Sequence, residues 1–152
     1  MTVHLVRHAR AGRRSAWDGP DEERPISKAG RRQARDLAAH LADADLTRVL
    51  SSPYVRCIQT AEAIAETHGL TVEVVDALAE GVGAADVADL LADLDGDVVL
   101  CTHGDVGSLV LAQVRRDGVK LRAPRWEKGS VWALEAKKGR FVRATYRPPT
   151  DR

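Results

Sequence analysis

The chain has 152 residues, with 23 Lys and Arg against 22 Asp and Glu, for a formal net charge of +1. This length fits a single domain, taken as residues 1–152, that can bury a sizeable core. The balanced charge argues against a protein built mainly to bind nucleic acid. The composition, 44% hydrophobic and 30% charged, favours a globular chain over a disordered one. Cys57 and Cys101 are too few for a disulfide framework and are read as buried, reduced thiols. The N-terminus shows no basic leader. No stretch approaches the ~20 apolar residues of a membrane span. A cytoplasmic protein with no membrane partner is expected.

Val3 to Val6 form a short apolar run that predicts a buried strand ending at Arg7-His8. A polar loop, residues 10–25, follows and is long enough to suggest function. Ser27 is placed as the N-cap of a helix over 30–42, where Ala34, Leu37, Ala38 and Leu41 recur at helical spacing. A strand over 48–52 ends in a Ser-Ser-Pro turn, and a helix over 54–68 stops at Gly69. Residues 71–75 alternate and are β-branched, which predicts a strand. A helix over 84–94 ends at Gly96. Val98 to Cys101 are continuously apolar, as in a central strand buried on both faces, and lead through Thr102-His103-Gly104 into a helix carrying Leu109 and Val114. Two β-like runs, 130–135 and 140–146, predict a terminal hairpin with a turn over 136–139. The tail, 148–152, is expected to fray. The alternation predicts an α/β fold, a three-layer αβα sandwich with a mostly parallel central sheet and a C-terminal hairpin.

In open α/β sheets, sites form beyond the carboxyl ends of the strands. Three predicted strand ends carry unusual polar residues: Arg7-His8, Ser51-Ser52-Pro53 with Arg56 one helical turn later, and Thr102-His103-Gly104. If these strands are parallel neighbours, two Arg and two His meet in one crevice, a cationic pocket suited to phosphate oxygens. Taken singly, each residue is more readily a surface or structural group; the conjunction carries the reading. His4, His40 and His68 are assigned to structure. Arg10, Arg13 and Arg14 are read as a solvated basic loop, and Trp17, Trp126 and Trp132 as core or pocket rim. No HExxH, CxxC or carboxylate–His cluster appears, so neither a metal nor another cofactor is expected. The oligomeric state is not readable.

Leu5-Val6-Arg7-His8-Ala9 resembles the Arg-His signature of the histidine phosphatase, or phosphoglycerate-mutase-like, superfamily. Ser51-Ser52-Pro53-Tyr54-Val55-Arg56-Cys57-Ile58-Gln59-Thr60-Ala61 matches its second block, and Thr102-His103-Gly104 resembles its third. The segment from Asp21 to Gly30, the small size and the Arg-His-Ala variant are similar to the short SixA-type branch. Lys128-Gly129-Ser130-Val131-Trp132 is similar to the histidine-phosphatase domain appended to certain Nudix hydrolases, although the chain has no Nudix box.

The resemblance implies that His8 is the nucleophile, transiently phosphorylated, and that Arg7, Arg56 and His103 bind the phosphoryl oxygens. Ser52, Thr102 and Gly104 join the expected phosphate-binding set, and Glu80, in Leu78-Ala79-Glu80, takes the place of the general acid. The implied substrate is phosphorylated: a phosphohistidine protein, as in the SixA type, or alternatively a nucleotide or sugar phosphate. A third reading, from a different class, is a non-catalytic phosphate-binding module.

Overall fold

The computed structural model describes residues 1–122 and 125–150. Strands β1 (Thr2–Arg7), β2 (Arg48–Ser51), β3 (Val72–Val74), β4 (Val98–Thr102), β5 (Val131–Lys137) and β6 (Arg140–Arg147) form one sheet in the order β3-β2-β4-β1-β5-β6. The first four of these neighbours are parallel; β5 joins β1 antiparallel and β6 closes the hairpin. The sheet is therefore mixed, as a parallel core with an appended hairpin predicts. The helices are α1 (Lys28–His40), α2 (Val55–Thr67), α3 (Ala84–Ala92) and α4 (Gly104–Arg116). No helix of the described residues is long and apolar enough to cross a membrane.

The side-chain alternation of the central strands divides the core into two layers. Val3 and Leu5 of β1, Leu50 of β2, and Val98 and Leu100 of β4 pack with Val87 of α3 and with Val106, Val110 and Val114 of α4. On the opposite face, Val6, Val49, Val99 and Cys101 pack with Leu37 and Leu41 near α1 and with Cys57, Ala61 and Ile64 of α2. All of β4 is buried, as expected of a parallel strand covered on both faces.

Register brings the three polar strand ends level. Arg7 pairs with Thr102, and Ser51 with Cys101. The ladder extends one bond further on each side, from His8 N–H to Thr102 O at 3.1 Å and from Ser52 N–H to Cys101 O at 3.0 Å.

Three details depart from expectation. The hairpin turn is tighter, because Lys138 and Gly139 both take positive φ, 51° and 77°, and close it in two residues; Lys-Gly is a weaker turn signal than Asn-Gly. The tail is in part packed: Pro149 is buried, following Arg147 at the end of β6, which reaches Asp36 at 3.0 Å, while 151–152 lie outside the described residues. The 10–25 loop contains two 3-10 turns, Arg14–Ala16 and Asp21–Glu23, and a bridge between Ala11 and Ile26.

That loop is tied to α1 through Ser27. Its hydroxyl accepts from Gly30 N–H at 3.1 Å as the N-cap and donates to Arg10 O at 3.2 Å. Gly30 permits the approach, since a Cβ there would lie 2.0 Å from Arg10 O. Gly30→Ala is expected to destabilise the chain by about 1–3 kcal/mol through overpacking against backbone, read as a lower urea midpoint with an unchanged slope.

Candidate active site

His8 follows β1 and is 5% exposed. Its Nδ1 lies 2.8 Å from Ala9 O. A carbonyl can only accept, so Nδ1 carries the proton and Nε2 keeps its lone pair. Burial pushes the His8 pKa down to about 3, opposed by the Ala9 hydrogen bond and reinforced by the charges of His103, Arg56 and Arg7. The ring is thus a neutral base near pH 7, with its tautomer set by the main chain. Its backbone is also fixed: Ala9 N–H donates to Thr60 Oγ1 at 3.0 Å, and Thr60 donates to Arg56 O at 2.8 Å.

Three cationic or donor groups surround this ring. Arg7 donates from Nη1 to Trp126 O. Gly104, at the start of α4, leaves room for it, since a Cβ there would lie 3.0 Å from Arg7 Nη2. Arg56, 1% exposed, donates to Asp21 O at 2.9 Å and to Asp21 Oδ2 at 3.1 Å, and lies over the Tyr54 ring at 4.9 Å. The His103 ring stands edge-on to His8, with centroids 5.5 Å apart. Among the described residues, four buried side-chain nitrogens or oxygens lack a hydrogen-bond partner, and three belong to this group: Arg7 Nε, Arg56 Nε and His103 Nδ1. Unpartnered buried donors are costly in an ordinary core, and their concentration here makes this crevice the candidate binding site. The N-termini of α2 and α4 face the same strand ends, and helix N-termini favour negative charge.

Two expected phosphate donors are engaged elsewhere. Thr102 donates to Leu78 O at 2.6 Å, so its hydroxyl anchors the turn that precedes Glu80. Ser52 Oγ is paired with His103 Nε2 at 2.8 Å and accepts from Tyr54 N–H at 3.2 Å, so it orients His103. Gly104 acts through the space it leaves for Arg7. Neither hydroxyl partner is visible in sequence, because the partners are 51 and 24 residues away.

Glu80 stands at the rim, its side chain 39% exposed, 3.7 Å from Arg56 and 3.8 Å from Arg14. Its turn is held to α4 by Gly81 N–H, which donates to Asp105 Oδ2 at 2.7 Å. Asp21 was not singled out by sequence, yet it pairs with Arg56, Arg24 and Arg14. Its carboxyl is partly desolvated, but hydrogen bonds from Arg24 and the charge of Arg56 hold it below the usual carboxylate range. Cys57 and Cys101 are free and buried, and Cys57 Sγ lies 3.6 Å from His103 Nε2.

Trp126 is half-buried beside His103, its Nε1 donating to His103 O at 3.4 Å, and Trp132 lies in the core. Trp17 instead is 37% exposed, on the 10–25 loop. His68 fastens the end of α2 to Leu41 O at 2.8 Å, a structural role as expected.

Comparison with known proteins agrees with this geometry. Residues 3–90 match the family model of the histidine phosphatase superfamily, branch 1. An 8-oxo-(d)GTP phosphatase of Mycolicibacterium smegmatis is 36% identical over 99% of this chain; the chain spans 49% of that protein's length. Among solved structures, a SixA protein described as a phosphohistidine phosphatase from Agrobacterium tumefaciens superposes with TM-score 0.81 at 24% identity, covering 97% of each chain. The protein histidine phosphatase SixA in complex with tungstate superposes with TM-score 0.79 at 22% identity, covering 97% of this chain and 94% of that one. At these identities the structural likeness concerns the fold.

The neutral His8 has a consequence for stability. Folded, it resists protonation down to about pH 3, against 6.5 for an ordinary histidine. Between those values the unfolded chain binds more protons, so the His8 contribution to stability is present above 6.5 and is lost as pH falls through the window. Asp21, Asp36 and Glu73, also held low, contribute in the same direction, and a His8→Asn variant retains them. The stability difference between variant and wild type, from urea melts, is expected to shift in favour of the variant as pH falls from 6.5 towards 3; parallel curves would remove the burial argument.

Proposed function

The chain belongs to the histidine phosphatase superfamily, and from that premise we propose that it hydrolyses phosphate compounds through a covalent phosphohistidine on His8. The observation that carries this is the neutral, tautomer-fixed His8 beside three unpartnered donors on Arg7, Arg56 and His103. Nε2 attacks phosphorus, forming the N–P bond as the bond to the leaving group breaks. Arg7, Arg56 and His103 balance the charge on the transferring oxygens, the main demand of phosphoryl transfer. Nδ1 stays bonded to Ala9 O, so the phosphorylated ring is cationic and is itself a good leaving group.

Glu80 serves as the proton carrier. As the acid it protonates the leaving oxygen; as the resulting carboxylate it takes a proton from the water that attacks phosphorus. The N–P bond then breaks, releasing inorganic phosphate and neutral His8. Charge stabilisation comes from the guanidinium and imidazole groups, and the cycle needs no metal.

For the substrate, the terminal phosphoryl group of a nucleotide is supported by the 36% identity, over nearly the whole chain, to a protein named for 8-oxo-(d)GTP. A second reading, a SixA-type protein phosphohistidine phosphatase, is supported by the exposed position of Glu80, which leaves space at the rim for a side chain carried by another protein.

His8→Ala is expected to abolish both p-nitrophenyl phosphate turnover and an acid-labile phosphoenzyme while leaving the circular dichroism spectrum unchanged. Retained turnover would exclude His8 as nucleophile. Glu80→Gln is expected to slow alkyl phosphates by about 10²–10⁴-fold, and phosphohistidine, whose leaving group is good, far less. Equal slowing of both would remove Glu80 from proton transfer. Rates on GDP, GTP and a phosphohistidine protein, compared per active site, decide between the substrate readings.

A further inference from the structure

Gln33 of α1 is 1% exposed, and its amide joins two segments that flank His8. Its Oε1 accepts from Arg10 N–H at 2.9 Å, and its Nε2 donates to Lys128 O at 3.4 Å. Gly129, at φ +81°, packs so closely on this amide that a Cβ there would meet it at 2.7 Å. The Gly129 N–H in turn lies 3.2 Å from both Arg7 O and His8 O. Arg10 and Lys128 are thereby anchored beside the backbone of the reactive strand end.

Charge around the pocket is divided unevenly. Arg14, Arg24 and Arg56 are matched by Asp21 and Glu80. Arg7, Arg10 and Lys128 form no ion pair with a carboxylate among the described residues. The Lys128 ammonium is pushed below its ordinary value by burial, then by the charges of Arg7, Arg24, Arg56 and Arg10. Like charges held together repel; the carboxylate of Asp105 offsets part of the Arg7 charge, and an anion placed by Arg10 and Lys128 relieves the remaining repulsion. One phosphoryl group can engage Arg7, Arg56 and His103, which leaves Arg10 and Lys128 for a second anionic group.

We propose that Arg10 and Lys128 form a second anion subsite, which takes the phosphate adjoining the transferred phosphoryl group in a phosphoanhydride substrate. This rests on the assignment of the phosphoryl pocket to His8 and specifies the substrate class. In the reaction the P–O bond of the anhydride breaks as His8 Nε2 bonds the terminal phosphorus. The bonding pair leaves with the shortened phosphate chain, whose charge Arg10 and Lys128 stabilise. Water then cleaves the N–P bond to give inorganic phosphate.

The test is titration calorimetry of the intact chain at constant ionic strength, with orthophosphate, pyrophosphate, tripolyphosphate and GDP. Pyrophosphate is expected to bind about tenfold or more tightly than orthophosphate, as two charge-assisted contacts allow. Lys128→Gln should shrink that ratio about three- to tenfold, and Arg10→Gln provides the same test should the first variant fold poorly. A ratio near one in the wild type, or a ratio unchanged in both variants, overturns the proposal. GDP binding above tripolyphosphate identifies a nucleotide as the bearer of the anhydride, and the reverse order an inorganic polyphosphate; either supports the subsite. Because binding is read without turnover, failure of the covalent mechanism, seen as the absence of a phosphoenzyme, is separately visible.

Discussion

A guanidinium that is 99% withdrawn from solvent must be balanced nearby, and Arg56 imposes that requirement on this molecule. Its partners come from elsewhere in the chain: the carbonyl and carboxylate of Asp21, on the loop after β1, and Glu80, on the turn before α3. Meeting the charge draws both irregular segments over the strand ends. Asp21 also holds Arg24 and Arg14, so one carboxylate organises three cations and gives the 10–25 loop a fixed course without regular structure.

The same burial that makes Arg56 demanding makes His8 neutral. A histidine in water divides between its forms near neutrality; enclosed here among Arg7, Arg56 and His103, it gives up its proton. Cations that attract an anion and suppress imidazolium would serve both needs of the phosphoryl transfer proposed for His8: a bound phosphate and a free lone pair. The arrangement is stable because the sheet, rather than the loops, sets the spacing. His8 and His103 follow paired strands, and their neighbours share one hydrogen-bond ladder.

Much of this was legible in the sequence. The continuous apolar run of β4 and the short run of β1 announced buried parallel strands, and their polar ends announced the crevice. Arg7, His8, Arg56 and His103 do come together, because strand order and register are enforced by the hydrophobic alternation of Val98, Val99 and Leu100 on two faces. What was not legible is where short side chains direct their hydrogen bonds. Ser52 and Thr102 look like ligand donors by position, yet one hydroxyl is absorbed by an imidazole and the other by the Leu78 carbonyl. Asp21 opens the segment that resembles the SixA-type branch, and Gln33 sits within the predicted helix, yet neither role was legible, since both lie in contacts across tens of residues. The two-residue turn at Lys138-Gly139 was hidden because positive φ at lysine has no compositional mark.

The hydrogen bond from His8 Nδ1 to Ala9 O separates two properties that position 9 holds together. The Ala9 side chain is fully enclosed, so replacing it probes only how much volume the site accepts. The oxygen that selects the histidine tautomer belongs to the main chain, and every amino acid supplies it. Selection on the reaction can therefore leave no chemical signature at that residue beyond a preference for small size. A saturation library would score position 9 as a packing site, although the protonation state of the neighbouring ring is decided there.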